Sequence, residues 1–412
     1  MSPELTQPAY VFALSRVEGL GPKSLLRVLK FFPGPDSLAE APSEVIHDKL
    51  GEELSRIVLL RLLGHWEQAY SSAQEVMSRH FEKKVVPVAI TDSKYPPLLK
   101  LIPDPPPILF VRGNLETLSM ADTIAVVGTR DATELGKAVA GRIAKYFGKS
   151  GYVIVSGLAK GIDTAAHKGA VEAEARTVAV LGTALDQIYP AENRDLAERI
   201  ANDSGALITE LPLGRKSFRN AFVQRDRIQS GMSLAVMPVQ TDITGGTMHT
   251  VRFAEQHGRL LFCPKPLASE QGQRQYAGIS ELIRTGRARE FQAEDYESLL
   301  TLFQDHKRKL LSGEGLVAKA PVAEERPEPK VEAPPKERKE APSKRQSALG
   351  FAEDVDETIK DAVPPLTEEE IKKLMEAVRE LGLHENAKRF NDAVAQARKR
   401  LFGRKRTKAK SP

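Results

Sequence analysis

Apolar residues recur along this chain in two rhythms. Between residues 8 and 80 they follow helical spacing, in LSRVEGLGPKSLLRVLKFF and again in EELSRIVLLRLLGHWEQAYSSAQEVMSRHF, which predicts short helices. From residue 85 to about 300 the pattern changes to short Val/Ile-rich runs, KVVPVAI, PILFVRG, TIAVVGT, YVIVSGL, TVAVLGT, GALITEL, SLAVMPV and RLLFCPK, with helical stretches between several of them. Unbroken apolar runs suit strands buried on both faces, and helices between them predict an α/β fold with a doubly wound, mostly parallel sheet. Such sheets bind ligands outside the carboxyl ends of their strands. Gly128, Gly157, Gly182 and the Gly245-Gly246 pair fall at or just after those ends.

Beyond the sheet region the rhythm stops. APVAEERPEPKVEAPPKERKEAPSKRQ is rich in Pro, Glu, Lys and Ala and has almost no large apolar residue, so it cannot bury enough surface to offset chain entropy. The chain is therefore expected to divide into an N-terminal helical module (1–84), an α/β domain (85–304), a disordered linker (305–364) and a C-terminal helical pair with a basic tail (365–412). In the last segment, Thr367 followed by Glu368, Glu369 and Glu370 makes a good N-cap, and the two amphipathic helices divide near Gly382. The tail RKRLFGRKRTKAK carries eight Lys/Arg, a pattern that suits polyanions as well as simple solvation of a terminus.

Charge and composition narrow the function. The 412 residues carry a net charge of +5 and a pI near 9.0. There is no run of eighteen apolar residues, and MSPELTQPAY lacks the basic-then-apolar order of a secretory signal, so a cytoplasmic protein with no membrane association is expected. Cys263 is the single cysteine, and the eight histidines lack the short spacings of zinc sites, so neither a metal nor a cofactor is expected. Near the N-terminus, Gly19-Leu20-Gly21 followed by Pro22 suits a helix-hairpin-helix whose exposed amides could hold a phosphate; an ordinary helical turn fits the same residues.

The turn in IAVVGTRDATELG is the most informative stretch. A dinucleotide fold needs G-x-G-x-x-G and an acid at the end of the second strand. Here the turn is Gly128-Thr129-Arg130, and the next strand leads into VSGLAKGID, with Lys160 in place of the acid. Two strand ends thus pair small residues with a basic one, Thr129 with Arg130 and Ser156-Gly157 with Lys160-Gly161, each opening a helix. Helix-start amides beside a cation make a phosphate site. FVQRDRIQSGMS adds Arg225 and Arg227 around Asp226, and DITGGTMHTVRFAEQHGR offers Gly245, Gly246 and Thr247 as a further anion nest.

These residues resemble the DNA-processing protein A family, also called Smf. The likeness runs from about Tyr95 through Gly286, in YPPLLKLIPDPPPILFVRG, AVVGTRDATELG, VSGLAKGIDTAAHKGAV, VAVLGTALDQIYPAENRDLAERI, GALITELPLG, RDRIQSGMS and GGTMHTVRFAEQHGR, in family order; GLAKGID and YPAEN are its most specific stretches. The resemblance implies an extended Rossmann-like fold, a homodimer, binding of single-stranded DNA and its delivery to the RecA recombinase in natural transformation, with no catalytic activity. It also implies that Arg130, Lys160, Arg225 and Arg227 are DNA-binding cations. The sequence departs from the family in having Asp226 where Asn is usual, Gly245-Gly246-Thr247 where Ser-Gly-Ser is usual, and His249 at a usually apolar position. A linker and two helices stand where many members carry a winged helix.

Two function classes compete on these residues. A non-enzymatic binder of single-stranded DNA would use basic turns for the backbone and aromatic faces for bases, with Phe218, Phe222 and Tyr189 as the nearest rings; core packing is the alternative role for each. A hydrolase of nucleoside monophosphates would need a carboxylate aimed at the ribose. TGGTMHTVRFAE holds a Gly-Gly pair and Glu255, but its spacing departs from the P-G-G-x-G-T-x-x-E signature of that chemistry; Asp163 and Glu210 are the other carboxylates to test, with helix capping the competing role for Asp163. In a third reading the C-terminal helices hold a partner.

Overall fold

The computed structural model describes residues 3–314, apart from 52–53, 55–57, 60, 63–65, 219, 268–269 and 271. The C-terminal helical pair, the basic tail and the Pro-rich stretch lie outside the described residues. The N-terminal part consists of α1 (Pro3–Ser15), α2 (Pro22–Phe31), α3 (Pro35–Ala39), α4 (Ser43–Leu50) and α5 (Trp66–Glu82). The turn between α1 and α2 is built as the glycines suggest: Gly19 takes φ +86°, a conformation that disfavours a side chain, and Pro22 opens α2 behind Gly21.

Nine strands form one sheet: β1 (Val86–Ala89), β2 (Ile108–Gly113), β3 (Thr123–Val127), β4 (Val153–Ser156), β5 (Thr177–Val180), β6 (Ala206–Thr209), β7 (Ala235–Pro238), β8 (Leu260–Pro264) and β9 (Arg289–Phe291). Their order is β1-β2-β6-β5-β4-β3-β7-β8-β9. β2 runs antiparallel to both β1 and β6, and the remaining pairs are parallel. The connecting helices are α6 (Glu134–Lys149), α7 (Ile162–Glu172), α8 (Arg194–Asn202), α9 (Ala221–Gly231), α10 (Thr247–Gln256) and α11 (Arg274–Arg284), followed by α12 (Tyr296–Ser312). This is the doubly wound, mostly parallel α/β architecture that the apolar runs predict.

Alternation along each strand supplies the two sides of the sheet. Ile124, Val126 and Ile154 enter one apolar cluster with Ile143 and Phe147 of α6 and Phe303 of α12. Ala125, Val127, Val153 and Val155 belong to the other, which continues without a break into Tyr10, Leu14 and Trp66 of the N-terminal helices. The seam at residue 84 is therefore packed: Phe12 meets Phe110 edge-on at 6.2 Å and His80 stacks on it at 4.4 Å. His80 is neutral, since its Nδ1 lies 2.7 Å from the Val76 carbonyl, its Nε2 accepts from the Leu213 amide, and burial lowers its pKa.

One boundary and one strand differ from the sequence reading. The linker was expected from residue 305, but α12 continues to Ser312, held by Phe303 and Leu310 in the core and by Gln304 and Lys307 on Asp122. DHKRKLLS reads as polar because its outward face is charged, while a single buried leucine, Leu310, suffices to dock its end. β9 gave no apolar run: it is three residues long, with only Phe291 buried, and lies at the sheet edge.

Candidate functional site

The winding reverses between β3 and β7, which are neighbours in space although three strands separate them in sequence. Connections leave the sheet in opposite directions there, so a crevice opens at the carboxyl ends. A cleft of about 580 Å³ occupies that position, walled by Gly128-Thr129-Arg130 after β3, the start of α9 and Gly245-Gly246-Thr247 after β7. No side chain was flagged by sequence for the piece that joins these walls, Gln240. Fully buried, it accepts the Thr129 amide on its carbonyl at 2.8 Å, while its side chain accepts from the Thr133 amide and donates to the Thr133 hydroxyl. Its signal was hidden because one glutamine behind an apolar strand resembles any loop residue.

The GTR and GLAKG turns touch. Gly161 has φ +76°, and a Cβ there would come within 2.4 Å of the Thr129 carbonyl, so only glycine lets the two turns close together. Asn193 of the YPAEN stretch donates both to the Leu158 carbonyl and to the Thr164 hydroxyl, at 2.8 Å each, fixing the GLAKG turn from outside. Glu192 of the same stretch pairs with Lys160 at 2.8 Å, both side chains more than half exposed. Tyr189, also from it, is exposed and lies 5.8 Å from the ring of Phe222.

The expected cations separate into distinct roles. Arg130 is exposed, its guanidinium 5.7 Å over the Phe222 ring, and it forms no ion pair among the described residues. Lys160 is at the surface but engaged by Glu192. Arg225 is buried at the cleft floor, donating to the Val180 carbonyl at 2.7 Å and lying 3.1 Å from Asp226. It fills the space beside Gly157 so closely that a Cβ there would fall 1.7 Å from Nη1. Arg227 is 4% exposed and faces away from the cleft into a carboxylate pair, 3.1 Å from Asp104 and 2.7 Å from Glu210, which together outweigh its desolvation and raise its pKa. The expectation that Arg225 and Arg227 both reach a ligand is thus corrected: helical spacing turns residues two apart to different sides of α9. Ser156 is likewise internal, its hydroxyl donating to the Val126 carbonyl.

Under the cationic rim lies an acidic floor. Burial raises the pKa of Asp163, with Arg225 and the amides of Ala159 and Gly157 opposing the shift. Burial also lifts Asp226 to about 6, lowered again by Arg225 and Arg130 and raised by Asp163. Gln229, with its amide turned to satisfy both neighbours, donates to Asp226 Oδ1 at 3.1 Å and accepts from the Gly157 amide at 2.8 Å. On the far wall Gly246 precedes α10 without a side-chain cap, Thr247 is buried, and Arg274 pairs with Asp242 at the rim. The other carboxylates considered for catalysis are committed elsewhere: Glu255 forms a two-point pair with Arg287 at 2.7 and 2.8 Å, and Glu210 holds Arg227.

No helix among the described residues is long and apolar enough to cross a membrane, and no cluster of three His, Cys, Asp or Glu suited to a metal occurs among them.

Comparison with known proteins gives a consistent picture. A family model described as DNA recombination-mediator protein A matches residues 87–302. The chain is 34% identical over 260 residues to Protein Smf of Synechocystis, covering 62% of this chain and 64% of that one. It is 32% identical over 292 residues to DNA processing protein DprA of Bacillus subtilis, covering 71% of this chain and 95% of the relative. The crystal structure of DNA processing protein A from Streptococcus pneumoniae superposes with a TM-score of 0.55 at 28% identity, over 69% of this chain and 94% of that chain.

Proposed function

The chain belongs to the DNA recombination-mediator protein A family, and from that premise we propose that it binds single-stranded DNA in the cleft at the β3/β7 switch point and hands the strand to a RecA-type recombinase, without chemistry of its own. The observation that carries this reading is Arg130: an unpaired, exposed guanidinium over an aromatic ring, at the mouth of a cleft with helix-start amides on two walls. Phosphates suit the rim, where Arg130 and the start of α10 after Gly246 both line the cleft, and bases suit the faces of Phe222 and Tyr189. Lys160 reaches a phosphate only by leaving Glu192. In the same reading residues 1–84 are a helical module fused to the DNA-binding body, the C-terminal segments recruit a partner, and the working form is a homodimer in the cytoplasm.

The test is a titration of labelled mixed-sequence single strand, duplex and RNA against wild type and Arg130→Ala at two salt concentrations. Preference for the single strand, affinity that falls steeply with salt, and about tenfold weaker binding by the variant are expected. Salt-insensitive binding, or equal affinity of the variant, would remove the basis of the proposal. Adding the wild type to single-stranded DNA and purified RecA tests delivery, with faster filament formation as the expected result. Incubation with AMP tests the hydrolase reading; release of free adenine would replace the binder by an enzyme.

A further inference from the structure

Resting on that single-strand reading, we infer that Asp226 makes the cleft selective among bases, favouring those that carry an exocyclic amino group over thymine and uracil. Phe222 and Asp226 are four residues apart in α9, so they share a face one turn apart. Both line the cleft. A base laid against the Phe222 ring therefore presents its edge toward the Asp226 carboxylate.

That carboxylate has one oxygen to spare. Its contacts with Arg225 and Gln229 both fall on Oδ1, while Oδ2 makes no hydrogen bond among the described residues, and the side chain keeps 13% exposure. Oδ2 can only accept when the group is ionised. The amino hydrogens of cytosine N4, adenine N6 or guanine N2 meet that requirement from outside the ring, whereas thymine and uracil set an acceptor, O4, at the exocyclic position and have only the ring N3–H as a donor.

Charge supports the same polarity. Asp163 and Asp226 bracket the single buried cation Arg225 at the floor, while Arg130 and Arg274 stand exposed at the rim. A ligand fits such a cleft with its phosphate outward and a donor-bearing edge inward. Neither Asp163, buried and held by the amides of Ala159 and Gly157, nor Arg225, committed to the Val180 carbonyl, is as free to read an edge as Asp226.

Oligo-dC and oligo-dU of equal length differ by amino against oxo at C4 and by a bare against a protonated N3, and they are compared by competition against a labelled mixed-sequence strand at pH 8, where cytosine is neutral. Wild type is expected to prefer oligo-dC by about tenfold, the worth of one hydrogen bond to a charged group. Asp226→Asn, whose amide can turn to donate or accept, is expected to reduce the preference below about twofold while still binding both. Equal competition by the two oligomers for wild type, or an unchanged preference in a variant that melts as a folded protein, overturns the inference. Failure of wild type to bind any single strand overturns the parent reading together with this one, and is distinguishable from equal binding, which overturns this one alone.

Discussion

The rim and the floor of the cleft use the same residue type to opposite ends. At the rim, Arg130 projects from the turn after β3, and its guanidinium rests on an aromatic ring without an ion pair among the described residues. At the floor and behind it, Arg225 and Arg227 sit within one helix, each engaged by a carbonyl or by carboxylates, although Arg225 Nε and Arg227 Nε and Nη1 lack a hydrogen-bond partner among the described residues. An exposed cation can exchange water for phosphate at little cost, whereas a buried one would leave its partners uncompensated. The proposed binding therefore assigns the rim to phosphate and the floor to shape and selection.

The largest effect that tests this division is on stability. Removing Arg227 strands the nearly buried Glu210 beside a void, so Arg227→Ala is expected to lower stability by about 3–5 kcal/mol in urea unfolding. Arg130→Ala should stay within about 0.5 kcal/mol of wild type, as an exposed substitution does. Comparable losses for both would erase the distinction between rim and floor.

Asp226 gives the next largest effect, and its sign depends on pH. Its folded carboxyl titrates near 6, held up by burial and Asp163 against Arg225 and Arg130, while an unfolded one titrates near the ordinary value of about 3.9. The folded chain thus holds a proton between those values that the unfolded chain lacks, and this group stabilises the fold as pH falls from 7 toward 4. Ionised Asp226 costs at most about 3 kcal/mol at pH 8. Asp226→Asn should therefore gain on wild type most at pH 8 and least near pH 5, measured as the difference in unfolding free energy at each pH. A difference independent of pH would mean that Asp226 does not titrate in this range.

Much of this arrangement was legible along the chain, and the rest was hidden for physical reasons. Alternating apolar runs located β1 through β8, because strands buried on both faces admit little else. β9 and the last turns of α12 escaped because one or two apolar anchors hold them. The glycines of the GTR and GGT turns line the cleft, and Gly161 of the GLAKG turn closes against GTR. The RDR segment gave no sign of how its two arginines would part, because burial of Arg227 depends on Asp104 and Glu210, which come from distant loops. Gln240, Asn193 and Glu192 act through contacts across the fold that no local pattern announces.

Smaller effects sharpen the rim itself. Phe222→Ala should weaken single-strand binding by about 1–3 kcal/mol if a base stacks there, with no change in the salt slope, because no charge is lost. Lys160→Ala should weaken it by less than about threefold, since Glu192 already holds the ammonium in an exposed pair of little net worth. A Lys160 loss exceeding that of Arg130 would move the main phosphate contact to the GLAKG turn.

Photo-crosslinking of a halogenated single-stranded oligonucleotide, with the attached peptides mapped by mass spectrometry, locates the strand without any substitution. Attachment within the peptides carrying Phe222 and Tyr189, abolished by excess unlabelled single strand, is the predicted result. Attachment confined to the N-terminal helices or to segments after residue 312, with the cleft peptides unmodified, would contradict the placement of the strand at the switch point.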